Sequence, residues 1–364
     1  MWGPATGTGP CVPARYLGVI PDVSELERRA AGRLSPDVYD FYAGGAGREA
    51  TLRANQKAWR RIQFLPRVLR DVSAVDTSVV LGSPVELRVR TPLAVAPTAF
   101  HRLAHPDGEV AAATAAARAG ALFVLSTRST CPIEQVGEAV AAAGGAWWFQ
   151  VYLMHDLDIT IGLVRRAVAA GAQALVLTGD TPFVGRKARI ADAPISAADF
   201  LVNIGPLADL AGTELAASVT PAHIGWLSEL SGGLPVLVKG VLRADDAAAC
   251  VAAGAAGVIV SNHGGRQLDR AVPTAVALPA VAAALPAEPV LVDGGIRRAE
   301  DALAALALGA RLVFLGRPVL WALTCDGADG VQALLDGFTD DLAHVMALAG
   351  AATVDGLAGL ATPG

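Results

Sequence analysis

From residue 91 onward the chain repeats one unit eight times: a short apolar run rich in Leu and β-branched residues, then an alanine-rich segment of helical length. Continuous rather than alternating apolar runs suit strands buried on both faces, and helices joining parallel strands supply that burial. The runs are TPLAVAP from Thr91, ALFVLS from Ala121, WWFQVY from Trp147, ALVLTGD from Ala174, PVLVKG from Pro235, GVIVSN from Gly257, PVLVDGG from Pro289 and LVFLGR from Leu312. The segments between them, such as DGEVAAATAAARAG and RADDAAACVAAG, start on acidic residues and end on glycine, as helix termini prefer. The pattern predicts an α/β fold, a (β/α)8 TIM barrel over residues 91–364. Residues 1–90 are expected to form an N-terminal helical extension packed on the barrel, in a single domain overall.

The polar residues strengthen this reading, because nearly every run ends in reactive or glycine-rich chemistry. Those ends hold Thr98, Ser126, Gln150 with Tyr152, Thr178 with Asp180, Lys239, His263 with Arg266, Asp293 and Arg317. A barrel gathers all of them on one face, where such folds place their sites, whereas a doubly wound sheet would leave only some adjacent. The widest gap between elements, from Thr181 to about Val219, has the length of a lid after the fourth strand.

Composition excludes several other classes. With 34 acidic against 29 basic residues the net charge is -5, and the arginines are dispersed, so a nucleic-acid partner is not expected. Cys11, Cys131, Cys250 and Cys325 lie far apart without metal-ligand spacing, so neither a metal site nor a disulfide framework is expected. The N-terminus lacks a basic start and a continuous apolar core, and prolines break the apolar stretches near residue 280. A soluble, cytoplasmic protein with no membrane partner is the expectation.

The segment SNHGGRQLD (Ser261–Asp269) sets a histidine three residues before an arginine, with two glycines between to permit a sharp turn. A base and a carboxylate-gripping guanidinium can then face one small ligand. DGGIRR (Asp293–Arg298) and GRP (Gly316–Pro318) follow the last two strands, where barrels often bind phosphate through backbone N–H groups. Lys239 is one of only three lysines, with Lys57 and Lys187, and a buried ammonium there needs a negative partner such as an anionic flavin edge. A Schiff-base role for it is the other reading.

Together SNHGGRQLD, LVKG, APTA, FQVY, LTGDTP, LVDGGIRR and LGRP resemble the FMN-dependent α-hydroxy-acid oxidase and dehydrogenase family, over almost the whole chain from Val38 to Met346. The resemblance implies FMN as cofactor. Pro97, Thr98 and Ala99 would back the flavin, and Ser126, Gln150 and Thr178 would hydrogen-bond its ring. Lys239 and Ser261 would contact it, while Asp293, Gly294, Gly295, Arg297, Gly316 and Arg317 would hold its phosphate. The same resemblance makes His263 the base with Asp180 behind it. Arg266 and the Tyr39 hydroxyl would take the substrate carboxylate, and Tyr152 the substrate oxygen.

Two positions depart from the family pattern. Lys187, in GRKARI, stands where members carry a second arginine, and Arg128, in LSTRST, replaces an aromatic or apolar pocket residue. Arg128 either lines the pocket, ready for a second acidic or polar group, or points to solvent. The lid also lacks the family's usual continuation. The resemblance implies oxidation of an (S)-2-hydroxy acid, of mandelate or 4-hydroxymandelate type, to a 2-oxo acid, with reoxidation by oxygen releasing hydrogen peroxide. The alternatives are a dehydrogenase passing electrons to a quinone or protein, and a specialised member acting on a larger biosynthetic intermediate. A phosphate-binding barrel without catalysis would not need Asp180, His263 and Arg266 together. Family members are often tetrameric, so a homo-oligomer is expected.

Overall fold

The computed structural model describes residues 22–189, 195–205 and 210–362. It begins with helices α1 (Val23–Ala31), α2 (Pro36–Ala43) and α3 (Ala50–Trp59). The Asp22 carboxylate caps α1 by accepting the N–H groups of Ser24 and Glu25, and the Ser35 hydroxyl caps α2, which carries proline in its first turn. Strand β1 (Gln63–Phe64) and the antiparallel pair β2 (Val79–Leu81) and β3 (Leu87–Val89) follow.

Eight parallel strands then close a barrel: β4 (Leu93–Val95), β5 (Leu122–Leu125), β6 (Trp147–Val151), β7 (Leu175–Thr178), β8 (Val236–Val241), β9 (Gly257–Val260), β10 (Val290–Val292) and β11 (Val313–Leu315). They lie in chain order, and β11 pairs with β4 to complete the ring. Seven fall within the runs anticipated from the sequence, β8 runs one residue past its run to Val241, and β4–β7 and β9–β11 are buried at every position. That burial explains why their sequences do not alternate.

The outer layer comprises α4 (Gly108–Ala119), α5 (Ile133–Ala142), α6 (Leu157–Ala169), α7 (Ala197–Leu201), α8 (Ala222–Leu230), α9 (Ala244–Ala252), α10 (Thr274–Ala284), α11 (Ala299–Ala307) and α12 (Arg317–Leu348). Helix α7 is an addition between β7 and β8, inside the segment expected to form a lid. Alanines bury most of α4, so α12 packs closely on it. Although α12 is long, it is broken at Asp326 and Gly327, and no helix among the described residues is long and apolar enough to cross a membrane.

The chain before the barrel docks on it through specific bonds. Trp59 Nε1 donates to the Gly294 carbonyl at 2.8 Å, and the buried Asn55 and Asn262 amides exchange hydrogen bonds at 2.7 and 2.8 Å. The N–H groups of Arg48 and Thr51 reach the Asp269 carboxylate, and β1 pairs with β12 (Ala361–Thr362).

Candidate active site

A cavity of about 360 Å³ opens at the C-terminal ends of the barrel strands. His263 lies on its wall immediately beyond β9, in a turn where His263, Gly264 and Gly265 all have positive φ. Such a backbone costs roughly 1–3 kcal/mol at a non-glycine residue and marks a place where side-chain aim outweighs local comfort. Glycine is required at 265, since a Cβ there would sit 2.7 Å from the Leu52 nitrogen.

His263 Nδ1 lies 3.0 Å from Asp180 Oδ1, and Nε2 lies 3.4 Å from the Tyr152 hydroxyl, which also lines the cavity. The carboxylate thus grips one ring nitrogen and leaves the other toward the cavity. Burial works to raise the Asp180 carboxyl, but the facing imidazole, Lys239 and the Thr181 hydroxyl together hold it below the ordinary aspartate value. Asp180 approaches this closely because residue 240 is glycine: with φ +107°, a Cβ there would lie 2.5 Å from Asp180 Cβ. Tyr152 is pushed up, first by burial and then by the Asp180 charge.

Arg266 is half-buried beside them, and desolvation lowers its pKa. Its Nη1 donates to the carbonyls of Phe41 and Gly44 at 2.8 and 2.9 Å, and the guanidinium stacks 5.2 Å over the Phe41 ring. These bonds fix the fork from behind. Lys187 and Arg128 both line the cavity, so of the two orientations open for Arg128 the inward one is found.

Tyr39 does not join this group, correcting the sequence expectation. Its hydroxyl reaches Glu27 Oε1 at 3.5 Å, and its ring packs on Trp321. Phe41 and Tyr42 line the cavity instead, with the Tyr42 hydroxyl donating to the Phe100 carbonyl at 2.6 Å. Two residues apart on α2 means about 200° apart around the helix, so Tyr39 and Phe41 face opposite ways.

The residues expected to hold the flavin surround the same cavity. Pro97, Thr98, Ala99 and Ser126 line one side. Gln150 lies just behind, donating to Thr178 Oγ1 at 2.8 Å and accepting from the Ser126 hydroxyl and the Thr127 N–H. Lys239 Nζ lies 3.0 Å from Asp293 Oδ2 and donates to Ser261 Oγ at 2.8 Å. Burial opposes its charge, but Asp293 and Asp180 prevail and keep Lys239 above the usual lysine value. This ionic partnership leaves it charged, unlike a Schiff-base lysine.

At the far side, Gly294, Gly295, Arg297, Gly316 and Arg317 form the wall. Burial, followed by the like charges of Arg266 and Arg297, pushes Arg317 down to about 9. Its guanidinium bonds only to the carbonyls of Tyr42, Gly44 and Gly264, with no carboxylate in ion-pair range among the described residues. Asp293 Oδ1 is buried with no hydrogen-bond partner among the described residues, although the other oxygen is paired. Crowded cations beside backbone glycines and an unmet acceptor fit a ligand carrying a phosphate and hydroxyl groups, as FMN does. No group of His, Cys, Asp or Glu among the described residues could hold a metal ion.

Some participants were not singled out from the sequence. The His101 ring, entirely buried, sits 2.6 Å from Thr98 Oγ1, with the buried Glu109 carboxylate accepting the His101 backbone N–H. Phe200 of α7 and Leu215 close over the cavity from the lid. The HR pair after APTA was visible in the sequence, but nothing in its spacing tied it to Thr98.

The sequence profile of a family described as FMN-dependent dehydrogenase matches residues 30–361. The chain is 41% identical to 4-hydroxymandelate oxidase of Amycolatopsis orientalis, over 91% of this chain and 95% of that one. It is 43% identical to L-lactate oxidase of a Nostoc species, over 90% and 93%, and 42% identical to glycolate oxidase 3 of Arabidopsis thaliana, over 91% and 92%. A crystal structure of mandelate oxidase superposes with a TM-score of 0.85 at 41% identity, covering 94% of this chain and 98% of that one. Its complex with (S)-4-hydroxymandelic acid gives 0.84 at 40% identity, covering 92% and 97%.

Proposed function

Because the chain belongs to the FMN-dependent dehydrogenase family, we propose that it oxidises an (S)-2-hydroxy acid to the 2-oxo acid and is reoxidised by oxygen, releasing hydrogen peroxide. The observation that carries this reading is the convergence of His263, Tyr152 and Arg266 on the cavity that also holds Lys239. FMN supplies an acceptor for the two electrons that leave the substrate. The oxidase relatives favour oxygen as the final acceptor.

Arg266, its Nη1 held by backbone carbonyls, grips the substrate carboxylate with its remaining N–H groups and so orients the carbon bearing the hydroxyl. His263 accepts a proton at Nε2, the nitrogen not bound to Asp180. The Asp180 charge stabilises the imidazolium that forms and fixes the ring's direction. Tyr152, whose hydroxyl stands 3.4 Å from that same nitrogen, turns its single O–H to the substrate oxygen. Lys239, held charged by Asp293, would present a cation to the flavin ring, while Arg297 and Arg317 with the glycines of residues 294, 295 and 316 would take its phosphate.

Anaerobic mixing of the purified flavoprotein with glycolate, lactate, mandelate, 4-hydroxymandelate and a dicarboxylic 2-hydroxy acid tests the proposal. At least one should bleach the flavin, and air should restore it with hydrogen peroxide formed. His263→Ala should stay yellow yet resist bleaching. Absence of bleaching by every acid rejects the reading, and recovery only with an artificial dye assigns a different electron acceptor. For its setting we propose the cytoplasm and a homo-oligomer; exposed Phe183 and Leu268 offer apolar surface for a second copy, and light scattering checks it.

A further inference from the structure

Arg128 brings to the cavity a charge that the proposed reaction does not use. One guanidinium nitrogen, Nη2, donates to the Thr213 carbonyl at 2.6 Å, and the group stacks 4.6 Å from the Phe200 ring centre. The other, Nη1, is buried and has no hydrogen-bond partner among the described residues. Among the described residues no carboxylate lies within ion-pair distance of Arg128. A guanidinium keeps its charge throughout the working pH range, and a buried charged donor without an acceptor is costly.

Lys187, also in the cavity wall, lies 5.8 Å over the Phe41 ring. Lys239 faces Asp293, and His263 faces Asp180. A cofactor phosphate would answer Arg297 and Arg317, and the carboxylate next to the reacting carbon would answer Arg266. Arg128 stands on the lid side of the site, against Phe200 and Thr213, in the wall of the cavity that Tyr152 and Arg266 also line. A ligand held at Arg266 therefore shares its cavity with a second cation on the lid side.

Resting on the 2-hydroxy acid reading above, we propose that the substrate carries a second carboxylate bound by Arg128, making the substrate class a 2-hydroxy dicarboxylic acid. Recognition there draws on Nη1, without a partner among the described residues, in a guanidinium already fixed by Thr213 and Phe200. A fixed fork loses little freedom when it binds a carboxylate.

The test compares diacids with monoacids of equal chain length on the FMN-loaded protein: (S)-malate with (S)-2-hydroxybutanoate, and (S)-2-hydroxyglutarate with (S)-2-hydroxypentanoate. The diacid should be favoured in kcat/KM by about tenfold or more, the scale of one charge-assisted hydrogen bond. Arg128→Met should abolish that preference while Arg128→Lys keeps part of it. Binding of unreactive glutarate and pentanoate, followed by calorimetry, gives a readout independent of turnover, and glutarate should lose affinity selectively in Arg128→Met. Equal losses for diacid and monoacid would assign Arg128 to holding the lid alone and overturn the proposal, as would a wild type that prefers monoacids. Failure of every hydroxy acid to reduce the flavin would sink the underlying reaction, while the glutarate comparison would still decide the fate of the Arg128 subsite.

Discussion

His263 and Asp180 are joined through a single carboxylate oxygen: Oδ1 takes both the imidazole at 3.0 Å and the Thr181 hydroxyl at 3.1 Å, while the buried Oδ2 has no hydrogen-bond partner. The contact therefore acts by charge and direction on one ring nitrogen. Asp180→Asn keeps the shape but removes the charge, and its amide N–H would favour the ring tautomer with its proton on Nε2, where a proton must be received. Turnover should fall by about 10²–10⁴-fold with little change in KM. Steady-state kinetics check it, and a mainly KM-based loss would contradict this role.

The same pair sets an acid limit on stability. Because the folded-state pKa of Asp180 lies below its ordinary value of 3.8, its contribution is fully present above pH 3.8 and is lost as pH falls through the depressed value. Melting curves of wild type and Asp180→Asn should therefore converge at the acid end, separate as pH rises toward 3.8, and keep a constant gap from this group above it. Parallel curves would show that this carboxylate carries no such linkage.

Lys239 and Asp293 form a buried ion pair at 3.0 Å, and cutting one side leaves the other charged and uncompensated. Lys239→Met should destabilise the fold by about 3–5 kcal/mol, whereas adding Asp293→Asn should recover much of that loss without restoring flavin retention. Denaturant unfolding measures the first effect and absorbance the second.

Arg317, pressed down to about 9 by burial and by two neighbouring guanidinium groups, is relieved by an anion. Inorganic phosphate should raise the melting temperature of the apoprotein, and FMN should raise it further. Arg317→Met should shrink the phosphate increment and weaken FMN binding, as followed by quenching of flavin fluorescence. An unchanged phosphate increment would place the anion elsewhere.

The barrel was legible because its strands are buried on both faces, which leaves continuous apolar runs in the sequence. The ring of strand ends was legible for the same reason, since closing the barrel brings them together. Tyr39 was misplaced because residue type was weighed ahead of helical direction; only the angular step along α2 separates it from Phe41. The inward aim of Arg128 depends on Phe200 and the Thr213 carbonyl, more than 70 residues away, so no local pattern encodes it. The His101 contact with Thr98 is equally a product of tertiary packing around Glu109.

Trp59 reaches the Gly294 carbonyl, and Gly295 lies so close to α3 that a Cβ would touch the Asn55 backbone at 2.8 Å. The loop expected to cradle the phosphate is thus shaped from outside the barrel, by a helix completed more than 230 residues earlier in the chain. Cofactor content then becomes a gauge of assembly: yellow colour would report that α3 has docked, and a barrel whose helix failed to dock would be pale even with every cofactor-contacting side chain intact.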